Sequence, residues 1–285
     1  MNTGANISQL NVANIKDPYT GQSREILIGE CVSHSFDADG NIQTLAAGMK
    51  KKSGDPSERY VLTIDRNTLD ILALYSFNKY SDTTTDKVVD FSGAGYFYQD
   101  NLYRIVTALP DGHLKILRRT PSNVGGIDGY TEDADYNLMG AIGNTPVPGG
   151  KEHLLYAAVP DKSGNIWVTT NMSIVCTITP GGNIHWINLN DPNNTGKLEP
   201  QYDGGYQEIA NSHSVDEGES DGEPSGVYIL TTYRLYRLIA ALDGTPVISW
   251  YADYDHGTEI KSGQVSQGSG TTPTVFNMGN RRFVT

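Results

Sequence analysis

Four times along the chain, a short run rich in Val, Ile, Leu and Tyr stops at a three-residue polar turn and starts again on the other side. The runs are 60–65 and 69–75 about the turn 66–68, then 103–109 and 113–118 about 110–112. The others are 174–179 and 183–189 about 180–182, and 235–242 and 246–251 about 243–245. Apolar and β-branched runs bounded by Pro, Gly, Asn and Asp are the local signature of hairpins. No window carries the 3.6-residue apolar stripe and caps of an ordinary helix. A chain built this way buries its apolar side chains by stacking sheets, so its class is all-β.

The last two hairpins are each preceded by a further run, 164–170 and 226–232, which align as Gly, aromatic, apolar and Thr-Thr, and Gly95-Tyr96-Phe97-Tyr98 fills a similar place before the second hairpin. Farther upstream lies a segment ending in Asp, namely Asp161 and Asp216. One unit is therefore four strands. The turns fall at 66, 111, 181 and 243, steps of 45, 70 and 62 residues. The first step matches a propeller blade of about 40 to 50 residues. Insertions at 122–150 and 217–225 account for the longer steps.

These features predict a β-propeller of four-stranded antiparallel blades, with residues 1–285 as a single domain and 1–25 as an N-terminal extension. Residues 31–49 read as a partial unit, for four to five blades, and 279–285 read as the opening of another strand, so the chain reads as truncated at its C-terminus. A β-sandwich would account for the strands but not for their repeated grammar.

With 21 basic and 33 acidic residues the net charge is −12, which argues against nucleic acid, whose phosphates need clustered Lys and Arg. Anionic membranes are disfavoured partners for the same reason. No apolar run reaches the roughly 18 residues of a membrane helix, and the N-terminus lacks the basic and apolar regions of a signal peptide. A soluble chain of undetermined compartment is expected. Two cysteines, Cys31 and Cys176, are too few for a disulfide framework, and both sit in apolar stretches, where buried, inert thiols are expected.

The strongest candidate for chemistry is a pattern that occurs twice. Ser33-His34-Ser35-Phe36-Asp37 and Ser212-His213-Ser214-Val215-Asp216 both read Ser-His-Ser-apolar-Asp before a turn and a strand. In a propeller the innermost strand of each blade lines the axis, so His34 and His213 would both face one channel. There they could ligate a divalent metal, calcium or magnesium, or act as general acid and base, with Asp37, Asp216 and Glu208 orienting them. The competing reading is a polar cap in which these side chains satisfy backbone groups at a blade edge. His113, His153, His185 and His256 stand alone. Glu132, Asp133, Asp135, Asp253 and Asp255 make acidic patches without the fixed ligand spacing of an EF-hand. Gly268-Ser269-Gly270 lacks the strand–elbow–helix setting of a nucleophilic serine.

The stretch from Pro160-Asp161-Lys162-Ser163-Gly164-Asn165-Ile166-Trp167 through Ile178-Thr179-Pro180-Gly181-Gly182-Asn183-Ile184 resembles the repeat of virginiamycin B lyase-like propellers. That resemblance covers about 30 residues of one blade. It implies, as for gluconolactonase-like and strictosidine synthase-like propellers, a ligand and often a divalent cation at the axial mouth. The stretch 242–250 looks partly like the tryptophan-docking repeat of pyrroloquinoline quinone dehydrogenases, but its Thr-Gly pair is missing, so quinone binding is not expected. The segment 263–274 is similar to uncharacterised bacterial propeller-like proteins, from which no activity carries over. The expected function is a hydrolase or lyase acting on a small organic molecule at the axial mouth; the alternative is a non-catalytic propeller that binds a ligand or a protein partner.

Overall fold

Each predicted hairpin is present: those about 66–68, 180–182 and 243–245 are the last two strands of their sheets, and that about 110–112 is the middle pair of a four-stranded one. The computed structural model describes residues 12–48, 57–80, 96–109, 111–124, 126–147, 153–195, 206–218, 224–255, 268, 271–279 and 281–285. The first sheet runs in chain order through β1 (Val12–Lys16), β2 (Ser23–Phe36), β3 (Ile42–Gly48), β4 (Ser57–Ile64) and β5 (Ile71–Tyr80). The second is β6 (Phe97–Gln99), β7 (Ile105–Ala108), β8 (His113–Thr120) and β9 (Gly129–Asn137). The third is β10 (Leu155–Pro160), β11 (Ile166–Thr170), β12 (Ile174–Ile178) and β13 (Ile184–Asn188). The fourth is β14 (Ser214–Asp216), β15 (Gly226–Leu230), β16 (Arg234–Ala240) and β17 (Pro246–Asp253), followed by the hairpin β18 (Val275–Met278) and β19 (Arg281–Val284). Two short helices, α1 (Leu138–Ile142) and α2 (Pro192–Thr195), complete the elements. Sequential four-stranded meanders are the blade unit of a propeller, and the class is an all-β, propeller-like fold.

The chain divides into two compact units, one taking in Met1–Phe91, Phe97–Val106 and Lys115–Asp135, the other Ser92–Tyr96, Thr107–Leu114 and Tyr136–Thr285. In the first, the core gathers Ile26, Ala46, Tyr60, Leu62 and Leu74, flanked by Ile15, Ile64, Ile71 and Ile127. In the second, Trp167 and Val175 of the third sheet meet Val227, Ile229, Tyr236 and Leu238 of the fourth. The last four are i, i+2 pairs, so one face of β15 and one of β16 point at the neighbouring sheet. Each such side chain, fully buried, contributes about 1.5–3 kcal/mol.

The turns repeat too. Gly40, Gly112, Gly164, Gly182 and Gly244 each donate their N–H to the carbonyl three residues back, a turn followed by a left-handed residue that closes a hairpin tightly. Gly244, at φ +94°, also needs its missing side chain for space: a Cβ there would lie 2.3 Å from Cγ2 of Thr179, across from the third sheet. Its carbonyl accepts the Thr177 hydroxyl at 2.5 Å.

Several expectations are corrected. The stretch 122–150 is not merely an insertion, because it supplies β9 and α1. Residues 12–16 and 23–27, which overlap the expected N-terminal extension of 1–25, pair as β1 and the start of β2. Cys176 is buried, and loss of solvent pushes its thiol up to about 12, but Cys31 is exposed. Cys31 borders a register shift in β2 against β3, where the strand departs from regular pleating.

Candidate functional site

The first copy of the Ser-His-Ser pattern ends β2, the second strand of its five-stranded sheet, and the second copy leads into β14, the first strand of its four-stranded sheet. His34 is exposed near the end of β2, opposite Thr44, with its ring edge-on to Phe36 at 6.2 Å. Asp37 follows the strand. Its Oδ1 accepts the N–H groups of Asp39 and Asn41, and its Oδ2 accepts from the Asn41 amide at 3.2 Å and the Arg119 guanidinium at 3.2 Å. Arg119 also holds Asp128 at 2.8 Å. His34 and Asp37 belong to the first unit, whereas Glu208, His213 and Asp216 belong to the second.

The aspartate is a structural repeat. Asp37, Asp100, Asp161 and Asp216 stand at the same joint, each accepting a backbone N–H from the start of the next strand. The donors are Asn41, Arg104 and Asn165, four residues on, and Gly226, ten residues on. A carboxylate that caps a turn this way satisfies donors the ladder leaves over. Asp161 also accepts the Trp167 indole N–H at 2.9 Å, and Asp100 takes Nε of Arg104 at 2.7 Å. Asp216 is the most committed: buried, it meets Nε of Arg237 at 3.2 Å and Nη1 of Arg282 at 3.3 Å. Arg237 is 1% exposed and donates a second bond to the Pro224 carbonyl at 2.6 Å.

His213 differs from its counterpart. It immediately precedes β14, is 3% exposed, and neither ring nitrogen has a hydrogen-bond partner. Burial drives its pKa down to about 4, opposed only in part by the backbone of Trp167. The ring is therefore neutral at pH 7. Next to it, the Ser214 hydroxyl bonds the Pro273 carbonyl. Glu208 is fixed through its backbone: its N–H donates to the Thr232 hydroxyl at 3.1 Å, and its carbonyl accepts the Thr232 N–H at 2.9 Å.

The residue beside it, Gln207, went unremarked in the sequence. Fully buried, it donates to the Leu189 carbonyl at 2.7 Å and accepts from the Thr231 and Tyr236 hydroxyls at 2.8 and 2.9 Å. It thereby ties the end of β13 to β15 and β16. Nothing in its local sequence marks it, because its partners come from distant segments.

The acidic patch on β9 is neutralised. Lys115 reaches Glu132 at 2.7 Å and Asp135 at 2.8 Å, while Asp133 holds Arg118 at 2.9 Å and Arg104 at 3.3 Å. Ion pairing holds the Asp133 carboxyl below its usual range. Asp253 is likewise paired, with Arg234. His185 places Nδ1 3.3 Å from the Thr245 hydroxyl, and His153 contacts the Thr145 carbonyl and Thr170. His256 and most of 263–274 lie outside the described residues.

A calcium or magnesium ion wants six or more oxygen donors. Among the described residues, no group of three or more His, Cys, Asp or Glu side chains is placed to hold a metal ion. At His213 the nearest carboxylate in the chain, Asp216, is already held by two guanidiniums. These residues do not fit such an ion, so no metal enters the chemistry below.

No protein-family model matches the chain. Over 77 residues it is 36% identical to an uncharacterized protein of Archaeoglobus fulgidus, a match covering 27% of this chain and 13% of that protein. Among solved structures it is similar to a protein from Lactobacillus plantarum, with a TM-score of 0.47, 10% identity, and coverage of 84% of this chain and 58% of that one. It is also similar to the periplasmic gluconolactonase of Pseudomonas aeruginosa, with a TM-score of 0.35, 10% identity, and coverage of 85% and 77%. The chain thus spans under two thirds of the length of the first two proteins. No described helix is long and apolar enough to cross a membrane.

Proposed function

We propose that this chain is a propeller-like protein that holds a small organic molecule at the entrance of β14 and hydrolyses or eliminates it with His213 as the proton acceptor. The observation that supports this is the imidazole itself, buried with neither nitrogen bonded. Leaving a buried polar group without a partner costs about 1–3 kcal/mol, a cost that a bound molecule offering a donor and an acceptor removes. A neutral ring has one nitrogen to accept and one to donate. In hydrolysis, His213 takes a proton from the attacking water and returns it to the leaving group. A pKa of about 4 makes it a weak base at rest, and negative charge developing on the substrate raises it during the step.

A purely binding role is the second reading, favoured by one observation: Asp216 is engaged with Arg237 and Arg282 and so does not orient the imidazole as in a His–Asp pair. The test is a His213→Leu variant assayed with uncharged ester, lactone and glycoside model substrates beside a thermal melt. A functional His213 predicts an unchanged or raised Tm with loss of turnover. Binding without turnover in the unaltered protein selects the second reading. A lowered Tm with no substrate bound by either protein means the ring only packs.

A further inference from the structure

The outer strands β9 and β17 end their sheets in the same position and are built in opposite ways. Exposed Glu132, Asp133 and Asp135 line β9, each ion-paired to a cation of its own unit. Charge along an open edge is the usual protection against an added strand. By contrast, β17 carries no charged side chain from Pro246 to Ala252. It is the last strand of its sheet, and among the described residues its backbone pairs with β16 alone. All five residues at 249–253 are exposed, so the second half of the strand is open, whereas Ile248 packs against the core. Val247, Trp250 and Tyr251 are 42%, 37% and 45% exposed.

Register places these side chains. Val247 pairs with Ile239 and Trp250 with Arg237, whereas Ile248 pairs with Leu238 and Tyr251 with Tyr236. The shift at Ser249 therefore sets Val247 and Trp250 on one face and Tyr251 on the other. An exposed carboxylate, Asp243, stands in the turn before the strand, whereas Asp253 at its end is held by Arg234. The Tyr251 ring already carries a guanidinium, with Arg234 4.2 Å from its centroid, and arginine stacks well on aromatic faces.

We propose that the edge of β17 accepts an extended, basic segment of a partner protein as a further strand. Main-chain hydrogen bonds to the open edge would supply affinity. Arginines or lysines alternating with apolar residues would meet Trp250 and Val247 on one face, while the exposed Asp243 carboxylate sets the sign of the charge at the start of the strand. Such strand addition is a recurrent mode of peptide recognition, and the net charge of −12 favours the encounter.

The probe is a synthetic Arg-Val-Arg-Val-Arg-Val peptide added to the full chain, read by affinity and by amide hydrogen exchange along β17. Two controls accompany it: the same peptide N-methylated at alternate positions, and a Glu-Val counterpart. The expected result is saturable binding with slowed exchange of outward-facing β17 amides. Affinity should fall about tenfold or more on N-methylation, and equally in a Val247→Lys/Ala252→Lys variant checked for an unchanged melt. The proposal is overturned if the N-methylated peptide binds as well, since the attraction is then charge alone. It is also overturned if no β17 amide slows, or if the free protein is a dimer that already protects them.

Discussion

In the first unit the Ser-His-Ser pattern leaves His34 exposed beside Phe36 and gives Asp37 to a turn that closes four residues on. In the second it buries His213, and Asp216 bonds an N–H ten residues on while holding the buried guanidinium of Arg237 and the half-buried one of Arg282. The two share the aspartate's place at the joint after the strand that carries the pattern, β2–β3 in one and β14–β15 in the other. What differs is the surroundings: Arg119 is partly exposed and keeps Asp128 as a second partner, whereas Arg237 lies in the core beside Tyr228. A local pattern sets where a strand ends; neighbours from other segments set whether the histidine before it meets water.

The largest separation should come from the aspartates. Asp216→Ala leaves Arg237 buried without its carboxylate and is expected to cost about 3–5 kcal/mol, against about 1–2 kcal/mol for Asp37→Ala, which loses a turn cap and one of the two carboxylates on partly exposed Arg119. Urea unfolding of both variants measures the gap, and equal losses would erase the distinction. Next comes pH. The folded pKa of His213, about 4, lies below the ordinary value of about 6.5, so between them the unfolded chain binds the extra proton. Stability is then full above about pH 6.5 and falls as pH drops toward 4, by about 3 kcal/mol in all. A His213→Gln variant should lose that part of the pH dependence, and melts from pH 7 to 4 would show it as a difference curve. Smallest is His34→Ala, expected within about 0.5 kcal/mol of the parent, as for other exposed positions. A larger loss would mean that His34 also has a structural partner.

Much of the fold was legible because hairpins are local: the runs around 66–68, 180–182 and 243–245 became β4–β5, β12–β13 and β16–β17. The strand β9 was not, since Thr131-Glu132-Asp133-Ala134-Asp135 has the composition of a loop. It holds as a strand because Lys115 and Arg118 on β8 and Tyr75 on β5 take its carboxylates, contacts that no single-segment reading contains. At the candidate site, the recurrence of an aspartate before each turn was visible, but its use as a turn cap was not, because orienting a histidine and capping a turn require the same residue type. The backbone of Trp167, which lies beside the His213 ring, belongs to β11 and is 46 residues away in sequence.

The hydrogen at Gly244 has a consequence for how this architecture can be altered. With Thr179 within reach of any larger group and Thr177 bonded to its carbonyl, the 241–245 turn works as a spacer that fixes the pitch from one sheet to the next. The joint after Asp216 is the opposite, since the same cap closes over ten residues there and over four elsewhere. New sequence grafted into this chain should be tolerated at the second place and should push the sheets apart at the first.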